Sequence, residues 1–77
     1  NRCPVTVRQI VERALAHGAS AVILAHNHPS GRVAPSDEDV DLTRTLQTTL
    51  ANLDVELVEH VIVGDGTYSM LSQQSWA

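Results

Sequence analysis

Residues 20–39, SAVILAHNHPSGRVAPSDED, carry the pattern from which we predict the fold. The segment opens with a short run of residues that is apolar on both faces, which predicts a central, buried strand. Pro29, Gly31 and Pro35 then mark a loop, and Ser36 is placed to begin a helix as its N-cap. Two histidines lie at the end of the strand and several carboxylates at the start of the helix.

The flanking segments extend this unit to the order α-β-α-β-β. Thr6 and Gln9 fit a capping box before an apolar stripe at helical spacing, and Gly18 ends that helix. Gly64-Asp65-Gly66 is a hairpin turn signal between two β-branched segments. We predict helices over residues 7–17 and 36 to about 52, and strands over 20–28, 55–63 and 67–71. The fold class is therefore α/β, a mixed sheet flanked by two helices in a single domain over residues 1–77.

Composition excludes several classes of protein. The 77 residues contain no lysine, five arginines and nine acidic residues, and the net charge of −4 disfavours a surface that binds nucleic acid. The longest apolar run is far too short to cross a bilayer, so no membrane association is expected. A single cysteine forms no internal disulfide, which favours a protein of the reducing cytoplasm. Because the chain opens without Met and almost directly with a helix, we expect an N-terminally truncated fragment.

His26 and His28 are two residues apart at the end of the predicted strand, so both side chains point to the same face. Neutral imidazole is a common metal ligand and suits zinc through either ring nitrogen. Two histidines at this spacing also occur without a metal, each making a hydrogen bond that caps the loop. The pair alone leaves both interpretations open.

Asp39 is the carboxylate best placed to join them. It begins the helical stripe that continues through Leu42, Leu46 and Leu53, so it is expected on the buried face, where a charge needs a partner. A cation shared with the histidines would be that partner, and the helix N-terminus also favours an ionised carboxylate. The alternative is a capping box of Ser36 with Asp39. Ser36 is then either a plain N-cap or a donor to a developing oxyanion.

His60, on the second strand, is expected to share a face with Val58 and Ile62. We interpret it as a structural histidine rather than a fourth ligand, because a closed site would leave no position for water.

The segment HNHPSGRVAPSDED resembles the JAMM signature of the JAB/MPN metallopeptidases. From residue 7 onward, the chain resembles the RadC-like branch of that family. The segments that carry this resemblance are VRQIVERALAHGASAVILAHNHPSG, LTRTL and HVIVGDGTYSML. The resemblance implies that His26, His28 and Asp39 bind Zn²⁺ and leave a fourth position to water. It also implies that this water attacks an amide or isopeptide carbonyl, with Ser36 stabilising the oxyanion.

The family's general-base glutamate, which lies on an early strand, has no match in this chain. Glu12, Glu38, Glu56 and Glu59 all lie elsewhere. We therefore expect the first strands of the domain to be missing, and this chain to bind metal better than it catalyses.

Two other functions remain open at this point. A non-catalytic binding or scaffold module would use the same fold, and the missing glutamate favours it. RadC-like proteins have also carried a DNA-repair label, although the acidic charge of this chain does not encourage it. A truncated domain would in addition expose a sheet edge through which copies could associate.

Overall fold

A computed structural model of the chain describes residues 5–73. The elements are α1 (Val7–Ala16), β1 (Ala21–Asn27), α2 (Asp37–Asn52), β2 (Glu56–Val63) and β3 (Thr67–Ser69). The predicted order and the α/β class are confirmed. Neither helix in the described part of the chain has the length and hydropathy that crossing a membrane requires.

The sheet has three strands in the order β1-β2-β3 among the described residues. β1 runs parallel to β2, and β3 returns antiparallel to β2. The prediction that the first strand is central and buried is wrong for this part of the chain. β1 lies at the sheet edge, its residues alternate between exposed and half-buried, and Ile23 is 68% exposed. Association of copies through this edge stays a prediction.

A β-bulge interrupts the pairing of β1 with β2. Val22 pairs with Leu57, but the next residue of β1 pairs with Glu59, so the register skips Val58. Consequently Leu57 and His60 are both buried although they are three positions apart, and Val58 is exposed. The expectation that His60 shares a face with Val58 is therefore wrong, because an extra residue in one strand breaks the period-two alternation.

The core is aliphatic and lies between the helices and one face of the sheet. Its buried members are Ile10, Ala14, Leu42, Leu46, Leu50, Val55 and Leu57. Leu53, which the sequence places on the buried stripe, is exposed because α2 ends at Asn52 and Leu53 is only its C-cap. Leu50 takes its place in the core. Four polar side chains are also buried among the described residues: His28, Asp39, Thr43 and His60.

Both helices begin with the predicted capping boxes. Thr6 and Gln9 exchange side-chain-to-backbone hydrogen bonds at the start of α1. Ser36 and Asp39 do the same at the start of α2, where Ser36 Oγ accepts from the Asp39 N–H at 3.1 Å. This second box fixes the Asp39 backbone in the first turn of α2, beside the end of β1.

Candidate metal centre

Three elements meet at the carboxyl end of β1 and bring His26, His28 and Asp39 together. His26 occupies the last inward position of β1, His28 follows the strand, and Asp39 lies in the first turn of α2. His26 Nε2 lies 3.1 Å from Asp39 Oδ1, and His28 Nε2 lies 3.0 Å from Asp39 Oδ2. The side chains of all three are less than a tenth exposed. Two imidazoles and one carboxylate therefore form a buried cluster.

The orientation of His28 is determined by a backbone carbonyl. Its Nδ1 lies 2.9 Å from the carbonyl oxygen of Arg32. Because a carbonyl oxygen only accepts, Nδ1 must carry the hydrogen and donate it. In the neutral ring Nε2 is then unprotonated and directs its lone pair at the Asp39 carboxylate. Such a lone pair facing an anionic oxygen is unfavourable unless a cation or proton lies between them.

His26 is held by His60 rather than by the backbone. His26 Nδ1 lies 2.9 Å from His60 Nε2, and His60 Nδ1 lies 2.7 Å from Thr43 Oγ1. Burial and the neighbouring His26 lower the pKa of His60 to about 4, so this fully buried ring is neutral at pH 7. The pKa of His26 is also lowered, chiefly by burial.

Asp39 is ionised despite its burial. Burial by itself raises the pKa of this carboxyl, but hydrogen bonds from Ser36 and the nearby His26 and His28 hold it below its ordinary value. The Ser36 backbone N–H donates to Asp39 Oδ2 at 2.8 Å. Capping and ligation were alternatives in the sequence, but the structure shows them to be compatible. One carboxylate completes the capping box and still directs an oxygen at each imidazole.

The donor set and its spacing suit a divalent cation. Tetrahedral zinc with ligand bonds near 2.0–2.1 Å separates its ligand atoms by about 3.3 Å. Each Nε2 lies close to that distance from one carboxylate oxygen, His26 at 3.1 Å from Oδ1 and His28 at 3.0 Å from Oδ2. One ligand atom from each of the three residues lies within 4.8 Å of the others. The group could therefore hold a metal ion.

Of the other candidate residues, Ser36 lies beside the cluster and the glutamates lie outside it. Ser36 is half-buried at its rim. Glu59 is engaged elsewhere, since its carboxylate accepts from the backbone N–H groups of Leu71 and Ser72. Glu12 pairs with Arg8 on the surface of α1. None of the four described glutamates, which include Glu38 and Glu56, belongs to the cluster.

Sequence reasoning missed Thr43 and did not connect His60 to the site. Thr43 lies one helical turn after Asp39, on the buried stripe of α2, and a polar residue at such a position was the available signal. The contact of His60 with the site could not be found from alternation, since the bulge determines which way its ring points.

Comparison with known proteins gives consistent matches. The family profile described as RadC-like JAB domain matches residues 1–76. A UPF0758 protein of Pseudomonas entomophila is 49% identical over 99% of this chain, which covers 34% of that protein. A UPF0758 protein of Azotobacter vinelandii is 52% identical over 90% of the chain, covering 31% of that protein. The chain thus spans about a third of the length of the curated relatives it matches, and their names state no activity.

Proposed function

This chain belongs to the RadC-like JAB domain family, and from that premise we propose that the protein is a zinc-dependent hydrolase of the JAMM metallopeptidase type. Its substrate is an amide or isopeptide bond in a peptide or protein. The observation that carries the proposal is the convergence of two Nε2 atoms on opposite oxygens of one buried carboxylate, at 3.1 and 3.0 Å.

His26, His28 and Asp39 are the residues that would hold the ion. When bound, zinc supplies a Lewis acid that makes water nucleophilic near neutral pH and polarises a carbonyl. The lowered pKa values of His26 and Asp39 keep these two side chains deprotonated, as ligation requires. Ser36, at the rim beside Asp39, donates its hydroxyl hydrogen to the oxyanion that develops on the substrate.

Hydrolysis also requires a group that carries a proton to the leaving amine. The described glutamates are not in the cluster, so in this proposal the group comes from outside residues 5–73. We therefore assign the activity to the whole protein. The relatives are about three times as long as this chain. The acidic charge and single cysteine support a cytoplasmic protein that acts on polypeptides rather than on nucleic acid.

A non-catalytic binding module is the second candidate. The observation that favours it is that none of the described glutamates lies in the cluster. Such a module would bind the ion for structure and would recognise a polypeptide without cleaving it.

Metal analysis of the full-length protein, purified without added metal, tests the site. We expect about one zinc per chain, by plasma mass spectrometry, and a loss of that zinc in His26→Ala, His28→Ala and Asp39→Asn. His17→Ala and Asp37→Asn are matched controls, because both residues are exposed, and they should retain the ion. Full zinc occupancy in the three site variants would refute the proposed site.

Cleavage assays separate the two candidates. A peptide and isopeptide library incubated with the full-length protein should yield chelator-sensitive products. Ser36→Ala should retain zinc but reduce turnover by roughly a hundredfold, the scale of a lost oxyanion donor. Zinc-loaded full-length protein that binds peptides and cleaves none would instead establish the binding module.

A further inference from the structure

We propose that His60 and Thr43 are positioning residues that hold His26 in the tautomer whose Nε2 is free to bind a cation. The inference rests on the proposed metal site and concerns residues that do not themselves touch the ion. Thr43 Oγ1, His60 and His26 form one chain of hydrogen bonds, which we call the relay, running from α2 through β2 to β1.

The direction of the relay follows from its Thr43 end. Thr43 Oγ1 donates to the Asp39 carbonyl oxygen at 2.7 Å, and that oxygen can only accept. The single hydroxyl hydrogen is thereby used. His60 Nδ1 also lies 2.7 Å from Thr43 Oγ1. Because the hydroxyl has no second hydrogen, His60 Nδ1 must donate to it.

The remaining steps follow from the single hydrogen of a neutral imidazole. With its hydrogen on Nδ1, His60 presents an unprotonated Nε2, which accepts from His26 Nδ1 at 2.9 Å. His26 then carries its hydrogen on Nδ1, and its Nε2 lone pair points at Asp39 Oδ1. The reverse direction would leave Thr43 Oγ1 and the Asp39 carbonyl oxygen 2.7 Å apart with no hydrogen between them, which is repulsive.

Burial makes the relay effective. Thr43 and His60 are both 0% exposed, so water does not compete for their hydrogen bonds. The bulge in β2 turns His60 toward α2, and the spacing of one helical turn sets Thr43 next to Asp39. Helix α2 therefore supplies both the ligand Asp39 and the hydroxyl group of Thr43, which orients His26 through His60. Partners of this kind behind metal-bound histidines typically change metal affinity by about 10–100-fold.

Zinc affinity of the full-length protein, measured by competition with a chromophoric chelator, tests the relay. Thr43→Val keeps the side-chain shape but removes the hydroxyl, and it should weaken zinc binding by about tenfold. Thr43→Ser restores the hydroxyl and should bind nearly as wild type does. His60→Leu should weaken binding by about 10–100-fold, and adding Thr43→Val to it should cause no further loss.

Leu50→Val is the matched control, because it shortens another fully buried side chain of α2 outside the relay. It should lower stability and leave the zinc dissociation constant unchanged. Imidazole ¹⁵N spectra give a readout that a merely structural role would not move. We expect hydrogen on Nδ1 of both His26 and His60 in the zinc-bound wild-type protein.

The outcomes that overturn the inference are distinct from those that overturn the metal site. Wild-type protein that binds no zinc refutes the proposed function and the relay with it. If wild type binds zinc and His26→Ala does not, the site stands, and wild-type affinity in Thr43→Val refutes the relay alone. Hydrogen on His60 Nε2 in the zinc-bound spectrum refutes it as well, even where His60→Leu fails to fold.

Discussion

Asp39 shows how one side chain serves two roles. Its Oδ2 completes the capping box by accepting from the Ser36 N–H, while Oδ1 and Oδ2 each face one imidazole. A carboxylate has about four lone-pair sites, so it can accept from a backbone group and still bind a cation. The capping bonds also help keep Asp39 ionised, since they lower its pKa against the effect of burial. A residue that a capping-box pattern places at a helix start can therefore be a ligand as well.

The histidines make the stability of the metal-free protein depend on pH. The pKa of His60 falls from 6.5 unfolded to about 4 folded, so between these values the unfolded state binds more protons and stability drops as pH falls. This difference corresponds to up to roughly 3 kcal/mol, largely lost by about pH 4. The lowered pKa of His26 acts in the same direction. The lowered pKa of Asp39 adds a further loss of stability only when the pH falls below the ordinary carboxyl pKa of 3.8.

Urea unfolding in the presence of a chelator, from about pH 7.5 to about pH 4, measures this dependence. His60→Leu should make the decrease shallower, whereas His17→Ala, which changes an exposed histidine, should retain it. An unfolding free energy that stays constant across this range would contradict the buried, neutral state of His60.

At the scale of elements, the site depends on how the loop after β1 rests on the end of β2. The His28 N–H donates to the Val63 carbonyl at 2.8 Å, and the Asp65 N–H donates to the Gly31 carbonyl at 2.7 Å. These bonds hold the loop whose Arg32 carbonyl orients His28. Gly31 has a φ of +83°, a conformation that glycine adopts without strain. The ligand geometry is therefore set partly by backbone contacts outside the cluster.

Gly64→Ala should disturb this contact. A Cβ at Gly64 would collide with the backbone carbonyl group of Gly31, so the loop and β2 would have to separate. We expect the unfolding free energy to fall by about 1–3 kcal/mol, the range for overpacking, and zinc affinity to fall with it. Gly66→Ala, where a Cβ meets nothing within 4 Å, is the control and should change neither. Wild-type zinc binding in Gly64→Ala would show that the loop contact is dispensable.

At the scale of the whole molecule, a small aliphatic core supports the buried polar cluster. Leu46 and Leu50 are fully buried, whereas Leu53 is 42% exposed. Leu46→Ala should lower the unfolding free energy by about 2–5 kcal/mol, because it leaves a cavity among aliphatic side chains. Denaturant titration of the full-length protein checks this, with Leu53→Ala as the matched control expected to cost under about 1 kcal/mol.

Local structure could be predicted from the amino-acid sequence alone. Capping residues, helical stripes and the hairpin turn signal gave the element order and most helix and strand bounds, because these signals act between residues a few positions apart. The resemblance of HNHPSGRVAPSDED to the JAMM signature pointed to the same three side chains that converge in the structure. Whether they bind zinc remains a prediction.

The groups that surround those side chains depend on contacts between elements and could not be predicted from the sequence. The bulge that turns His60 inward and the contact of the loop with β2 arise from pairing between strands far apart in the chain. So does the edge position of β1 among the described strands. An apolar run cannot reveal that position, because the same run of residues can form a central strand or an edge strand. Hydrogen-bond direction in the relay likewise depends on the partners of each polar atom, and these are settled only when α2, β1 and β2 pack together.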